Sequence, residues 1–224
     1  EMRKIQYREK LFDEEIDKII QRFNEDDKKS TTITKKTTTV IHNCNELQNK
    51  FTNYQNLTEV DLSDVDFSEM TDASNLFSGW TNLRKLDLSN CDFYNIEKTT
   101  NMFYGCSQLQ EIIFSNDDFF NCTQMNSMFY DCTQLQKLDL SKFDTSNVKN
   151  MKYMFYNCQN LRDLNVSSFN TSKCQTMSQM FANCKQLQKL DLSNFDTSNV
   201  TNMQYMFQNC QNLQQFLQSQ PVNM

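Results

Sequence analysis

Glycine and proline are almost missing from this chain, with 2 and 1 in 224 residues. Turns must therefore come from Asn, Asp, Ser and Thr, whose short polar side chains bond to nearby backbone. No phosphate-cradling glycine loop can be built. Histidine occurs once, as His42, without an evident partner, so general acid–base catalysis has little to work with. No apolar run approaches the ~20 residues that cross a bilayer as a helix, and no signal-peptide pattern is present. Net charge is -6, and the basic stretches are as short as Lys35-Lys36. A nucleic-acid partner is not expected without a basic patch. The chain starts at Glu1 and stops in mid-pattern, as expected of a fragment or a processed form.

A repeat is what the chain does have. Leu57, Leu83, Leu109, Leu135, Leu161, Leu187 and Leu213 stand 26 residues apart with no insertion or deletion. A fixed period of this size predicts a stacked solenoid and moves the search for function from a pocket to a surface. The unit LQKLDLSNFDTSNVTNMQYMFQNCQN shows how one rung should fold. Leu187, Leu190 and Leu192 have the spacing of a leucine-rich repeat. Residues 189–193 should form a short strand with Leu190 and Leu192 inward and Lys189, Asp191 and Ser193 outward. Asp196-Thr197-Ser198-Asn199 reads as a turn and helix N-cap. Val200, Met203, Met206, Phe207 and Cys210 then follow at helical spacing. The expected fold is thus α/β: a right-handed leucine-rich-repeat solenoid, with one short parallel strand and one short helix per rung.

The columns agree with this frame. Phe77, Phe103, Phe129, Phe155, Phe181 and Phe207 share one position, preceded by Leu76, Met102, Met128, Met154, Met180 and Met206. Phe143, Phe169 and Phe195 sit at the corner of the later rungs. Val65, Cys91 and Asp117 hold that place earlier, with Phe67, Phe93 and Phe119 two residues on. One aromatic ring per rung is expected to fill one space from two backbone positions. No rung buries enough to fold alone, so stacking must supply the difference.

Residues 57–212 are expected to form six rungs, 31–56 a degenerate capping repeat, and 213–224 a terminal partial repeat. Residues 1–30 are expected to hold an amphipathic helix and a polar linker. Met2, Ile5, Phe12, Ile16, Ile19 and Phe23 alternate by threes and fours. That helix either folds back as a cap or binds a partner or a second copy.

The run LDLSNFDTSNVTNMQYMFQNCQNL and the related LDLSKFDTSNVKNMKYMFYNCQNL resemble the BspA-type leucine-rich repeat over about residues 57–216. The resemblance implies a surface-exposed or secreted protein of bacteria or protists, linked to adhesion, host contact and protein binding. That family commonly has Gly before the Cys of each rung. Gly105-Cys106 keeps it, whereas Asn157-Cys158, Asn183-Cys184 and Asn209-Cys210 depart from it.

Nine cysteines would suit a disulfide scaffold, yet all replace hydrophobes within the columns. Cys106, Cys132, Cys158, Cys184 and Cys210 share one column, Cys44, Cys122 and Cys174 another, and Cys91 sits at the corner. Buried free thiols are expected, and without CxxC spacing no zinc site is. Such thiols point to a reducing compartment, the family resemblance to the cell surface. Asn56, Asn121, Asn165, Asn170 and Asn199 lie in N-x-S/T sequons.

No catalytic residue, metal site or cofactor is expected. The candidate contact face is the outward strand wall, with Lys85, Asp87, Ile113, Lys137, Asp139, Lys189 and Asp191, joined by Tyr94 and Phe120 in the following turns. Asp61, Asp87, Asp139 and Asp191 form an acidic column interrupted by Ile113 and Asn165, and Lys85, Lys137 and Lys189, two residues before the last three, are expected to pair locally with it. The partner is a protein or another copy of the chain. Self-association would use Ile5, Phe12, Ile16, Ile19 and Phe23 at one end and Leu213 and Phe216 at the other.

Overall fold

The computed structural model describes residues 39–40, 58–62, 65–89, 91–115 and 119–218. These residues hold the short strands β1 (Thr39–Val40), β2 (Glu59–Asp61), β3 (Val65–Asp66), β4 (Lys85–Leu88), β5 (Glu111–Phe114), β6 (Lys137–Asp139), β7 (Asp163–Asn165), β8 (Lys189–Leu192) and β9 (Gln215–Gln218). Every strand pair is parallel and offset by one repeat: Thr39 pairs with Val65, Val60 with Leu86, Leu86 with Ile112, Leu138 with Leu164, and Leu190 with Phe216. The sequence period is therefore also the backbone period.

Alternation places the strands as expected. In β8, Lys189 and Asp191 are exposed while Leu190 and Leu192 are buried. The strand ladder is not continuous. It runs β2-β4-β5, then β6-β7, then β8-β9, with β1-β3 separate. The break after β5 coincides with Phe114, which stands where Leu88, Leu140 and Leu192 stand elsewhere. Its ring lies edge-on to Phe143 at 4.8 Å between centroids.

The second half of each rung corrects the expected helix. The described residues contain no helix; this half is a run of tight turns. Two positions per rung take left-handed backbone. One holds Asn75, Asn101, Ser127, Tyr153, Gln179 and Tyr205; the other holds Gly79, Gly105, Asp131, Asn157, Asn183 and Asn209. A left-handed residue every fourth position cannot belong to a right-handed helix. The amides divide their work instead. Leu76, Ser78 and Trp80 N–H donate three residues back, to Ala73, Asn75 and Phe77 C=O. Ala73, Asn75, Phe77 and Gly79 N–H donate across to Lys98, Thr100, Met102 and Tyr104 C=O, at 2.8 to 2.9 Å. Parallel bridges link Asp72, Lys98, Gln124, Asn150, Thr176 and Asn202 without a gap. The turns, more than the strands, thus tie successive rungs together.

The core lies between these two halves. Phe77, Phe103, Phe129, Phe155, Phe181 and Phe207 form one uninterrupted ring stack, with steps of 5.3, 5.3, 5.7, 5.5 and 5.6 Å. The Met column beside it is buried. The corner rings make the expected exchange. Phe67, Phe93 and Phe119 step by 5.1 and 5.2 Å, and the next contact, at 4.7 Å, is Phe119 to Phe143. The column therefore passes between two backbone positions without losing a ring. The position so vacated goes to buried Thr145 and Thr171. Thr145 Oγ1 donates to Asn170 C=O at 3.0 Å and accepts from Asn170 N–H at 2.8 Å. Thr171 repeats the pair with Asp196.

Candidate interaction surfaces

Strand alternation puts Lys85, Asp87, Ile113, Lys137, Asp139, Lys189 and Asp191 on one outward wall, exposed or half-buried. Their pairing differs from expectation. Lys85 Nζ meets Glu111 Oε1 and Lys137 Nζ meets Asp163 Oδ2, both at 3.4 Å. Both partners lie on the adjacent rung, not two residues along the same strand. The geometry of a parallel sheet gives the reason: register partners sit ~4.8 Å apart, whereas same-face residues of one strand sit ~6.6 Å apart.

The aspartates have another task. Asp87, Asp139 and Asp191 Oδ1 accept from Ser89, Ser141 and Ser193 N–H at 2.9, 3.0 and 2.9 Å. Each closes the turn that ends its strand. Asn165 Oδ1 does the same for Ser167 N–H at 3.1 Å, which explains how an amide interrupts the acidic column. The Ser193 N–H and hydroxyl hold the Asp191 carboxyl below the usual carboxylate range. No group of three or more His, Cys, Asp or Glu able to hold a metal occurs among the described residues. An open hollow of about 730 Å³ lies on this wall, lined in part by Lys137, Asp139, Asp163, Lys189 and Asp191.

Tyr94 and Phe120 come together. Their rings stack at 5.2 Å with 2° between planes, and they are 50% and 40% exposed. A larger aromatic group escaped the sequence reading. Tyr104, Tyr130 and Tyr156 stack on the turn half at 4.7 and 4.6 Å, with Tyr153 edge-on to Tyr130 and Tyr156. The available signal was three tyrosines in one column, each directly after the core Phe of consecutive rungs. Burial, with help from the nearby Asp131 charge, pushes the Tyr130 phenol up to about 12.

The described cysteines are free thiols, all buried except Cys210, which is half-buried. Cys106, Cys132, Cys158, Cys184 and Cys210 Sγ donate to Phe77, Phe103, Phe129, Phe155 and Phe181 C=O at 3.0 to 3.2 Å. Burial raises the thiols of Cys106 to about 12 and of Cys122 to about 11. Such thiols are poor nucleophiles and poor metal ligands. Two sequon side chains also serve the backbone as donors: Asn121 to Tyr94 C=O at 2.9 Å and Asn199 to Ser172 C=O at 2.6 Å.

Of the residues expected at the chain ends, Leu213 packs half-buried on the core, and Phe216 pairs with Leu190 through β9. Ile5, Phe12, Ile16, Ile19 and Phe23 lie outside the described residues, as do the N-terminal helix, His42, Cys44, Asn56 and most of the capping repeat. Among the described residues no helix is long and apolar enough to cross a membrane.

No curated protein matches the sequence. Among solved structures, the chain aligns with one in the crystal structure of a TLR13–ssRNA13 complex, at 16% identity and a TM-score of 0.37. The alignment covers 81% of this chain but only 27% of that one, so this chain spans about a quarter of that protein's length. One family model, described as a Mycoplasma protein of unknown function, matches residues 17–138 and 123–223. With nearly the whole chain inside those two matches, it belongs to that family, DUF285.

Proposed function

We propose that this chain is a non-enzymatic protein-interaction module, a right-handed solenoid of leucine-rich-repeat type, BspA-like, that presents an extended surface. The observation that carries the reading is the single 26-residue register shared by all strand pairs. Such stacking produces long walls on which side chains repeat at fixed steps. The strand wall is the proposed contact face, with its hollow over Lys137, Asp139, Lys189 and Asp191. Rim charges of this kind set partner choice and association rate more than affinity.

The test uses the turn chemistry described above. Asp87→Asn with Asp139→Asn removes two charges but keeps both turn-closing acceptors, as Asn165 does naturally. Proteins captured by the wild type from its native source should be lost or strongly reduced with the double variant, at an unchanged melting temperature. Equal capture by both removes the strand wall as the contact face.

Self-assembly is a second reading, favoured by one observation. Val200, Met203 and Leu213 are half-buried where the equivalent Val148, Met151 and Leu187 are fully buried. A second copy stacked head to tail would complete that burial. Loss of oligomer on deleting residues 1–40 supports it; a monomer at every concentration of the intact chain rejects it.

A further inference from the structure

The strand wall does not account for the tyrosine ladder on the turn half. We propose that Tyr104, Tyr130, Tyr153 and Tyr156 form a second, separate binding surface that takes a proline-rich protein segment in the extended polyproline II conformation. This surface goes beyond the strand-wall reading and does not depend on it.

Geometry is the first support. The ladder advances by 4.7 Å from Tyr104 to Tyr130 and by 4.6 Å from Tyr130 to Tyr156. A polyproline II helix advances ~9.3 Å for each three-residue turn. Two rungs therefore match one turn of the ligand, so ligand residues three apart can meet Tyr104 and Tyr156.

Charge complementarity is the second support. Rings stacked face to face hide their electron-rich faces and offer hydrogen-bearing, positive edges. None of the four hydroxyls has a hydrogen-bond partner among the described residues, so each remains available as a donor. The high pKa of Tyr130 keeps its hydroxyl protonated at all ordinary pH. Lys152 Nζ adds a positive charge, 4.6 Å over the Tyr153 ring. The surface thus offers several donors, and the carboxylate beside Tyr130, Asp131, is engaged by Asn157 Nδ2 at 2.6 Å. A proline-rich strand is its complement, because proline has no N–H and its carbonyls are unused within the helix. Aromatic-lined grooves recognise such segments, whose conformation is already formed before binding.

The third support is a fourth ring. Tyr153 has φ 60°, at a position that other rungs give to Asn75, Asn101, Ser127, Gln179 and Tyr205. Beside the ladder, this backbone sets the Tyr153 ring edge-on to Tyr130 and Tyr156 at 6.1 and 5.6 Å.

The experiment titrates the full chain with a proline decamer and with a Gly/Ser decamer of equal length, following tyrosine fluorescence and backbone NMR shifts. The rungs themselves supply mild replacements, since Ser78 and Ala182 hold the ladder position elsewhere. Saturable binding is expected for the proline decamer only, with shifts centred on residues 104–156. Tyr104→Ser with Tyr130→Ser and Tyr156→Ala should weaken it about tenfold or more. Tyr130→Phe, which keeps the ring and the fold, should weaken it severalfold. Asp87→Asn with Asp139→Asn should leave it unchanged, so failure of this surface and failure of the strand wall are told apart. No saturation by the proline decamer, equal binding of the Gly/Ser decamer, or full binding by Tyr130→Phe overturns the proposal. Binding of a soluble glucan oligomer in place of the decamer overturns it as well.

Discussion

Gly105→Ala separates the turn ladder from the helix that the apolar spacing suggests, because the two backbones predict opposite signs. Gly105 has φ +72° and nothing within 4 Å of where a Cβ would stand. Alanine therefore meets no clash, and only backbone conformation decides the outcome. In left-handed backbone a Cβ costs ~1–2 kcal/mol. Reduced freedom of the unfolded chain returns ~0.4–1 kcal/mol of that. The net expectation is a loss of about 1 kcal/mol, or ~2–4 °C in melting temperature for a chain of this size. In a helix the same change would gain ~0.8–1 kcal/mol, because alanine is the better helix former. Gly105→Asn is the companion variant. Asn157, Asn183 and Asn209 already occupy the equivalent position with φ near 60°, so it should stay within ~0.5 kcal/mol of wild type. Urea and thermal unfolding followed by circular dichroism measure all three proteins side by side. A stabilised Gly105→Ala would refute the turn ladder.

Three further outcomes are expected. Raising pH should destabilise the fold, since Cys106 and Cys122 titrate at about 12 and about 11 when folded but near 9 when unfolded. Their stabilisation is complete below pH 9 and is lost as pH rises towards the folded values, at ~1.4 kcal/mol per pH unit for each thiol; urea unfolding at pH 7.5 and 10 tests it, and Cys106→Ser should flatten the slope. Phe143→Val should cost ~1–3 kcal/mol by opening space beside Phe119, and adding Thr145→Phe should recover part of the loss, as the exchange between corner positions requires; a double variant no better than the single counts against it. Asp139→Ala should lower the melting temperature while Asp139→Asn leaves it unchanged, because only the alanine removes the acceptor for Ser141 N–H; equal melting temperatures would show that the turn does not need it.

What the sequence made legible was the set of inward residues. Leu190, Leu192, Met206 and the Phe77 column as far as Phe181 are buried where the period places them, because burial depends on side-chain type and a fixed repeat shows type at once. The backbone of the turn half was not legible from spacing alone. Apolar residues three and four apart suit one face of a helix, but they also suit paired turns that return to the core at the same intervals. The distinguishing sign was chemical: Gly79, Gly105, Asp131, Asn157, Asn183 and Asn209 all tolerate left-handed backbone. Ser127, Tyr153 and Gln179 hid the second such column, since none of these types signals it. On the strand wall, sequence neighbours suggested pairing of Lys85 with Asp87. The true partner, Glu111, stands one rung away, and only the register reveals it.

Distances between rungs test the central claim most directly. Spin labels at Glu59 with Lys189, Lys85 with Lys189, and Glu111 with Lys189 span five, four and three rungs in one column. Pulsed electron spin resonance should give separations that fall by ~4.8 Å with each rung removed, the spacing of adjacent strands. Separations that fail to grow in proportion to rung number would contradict the stack.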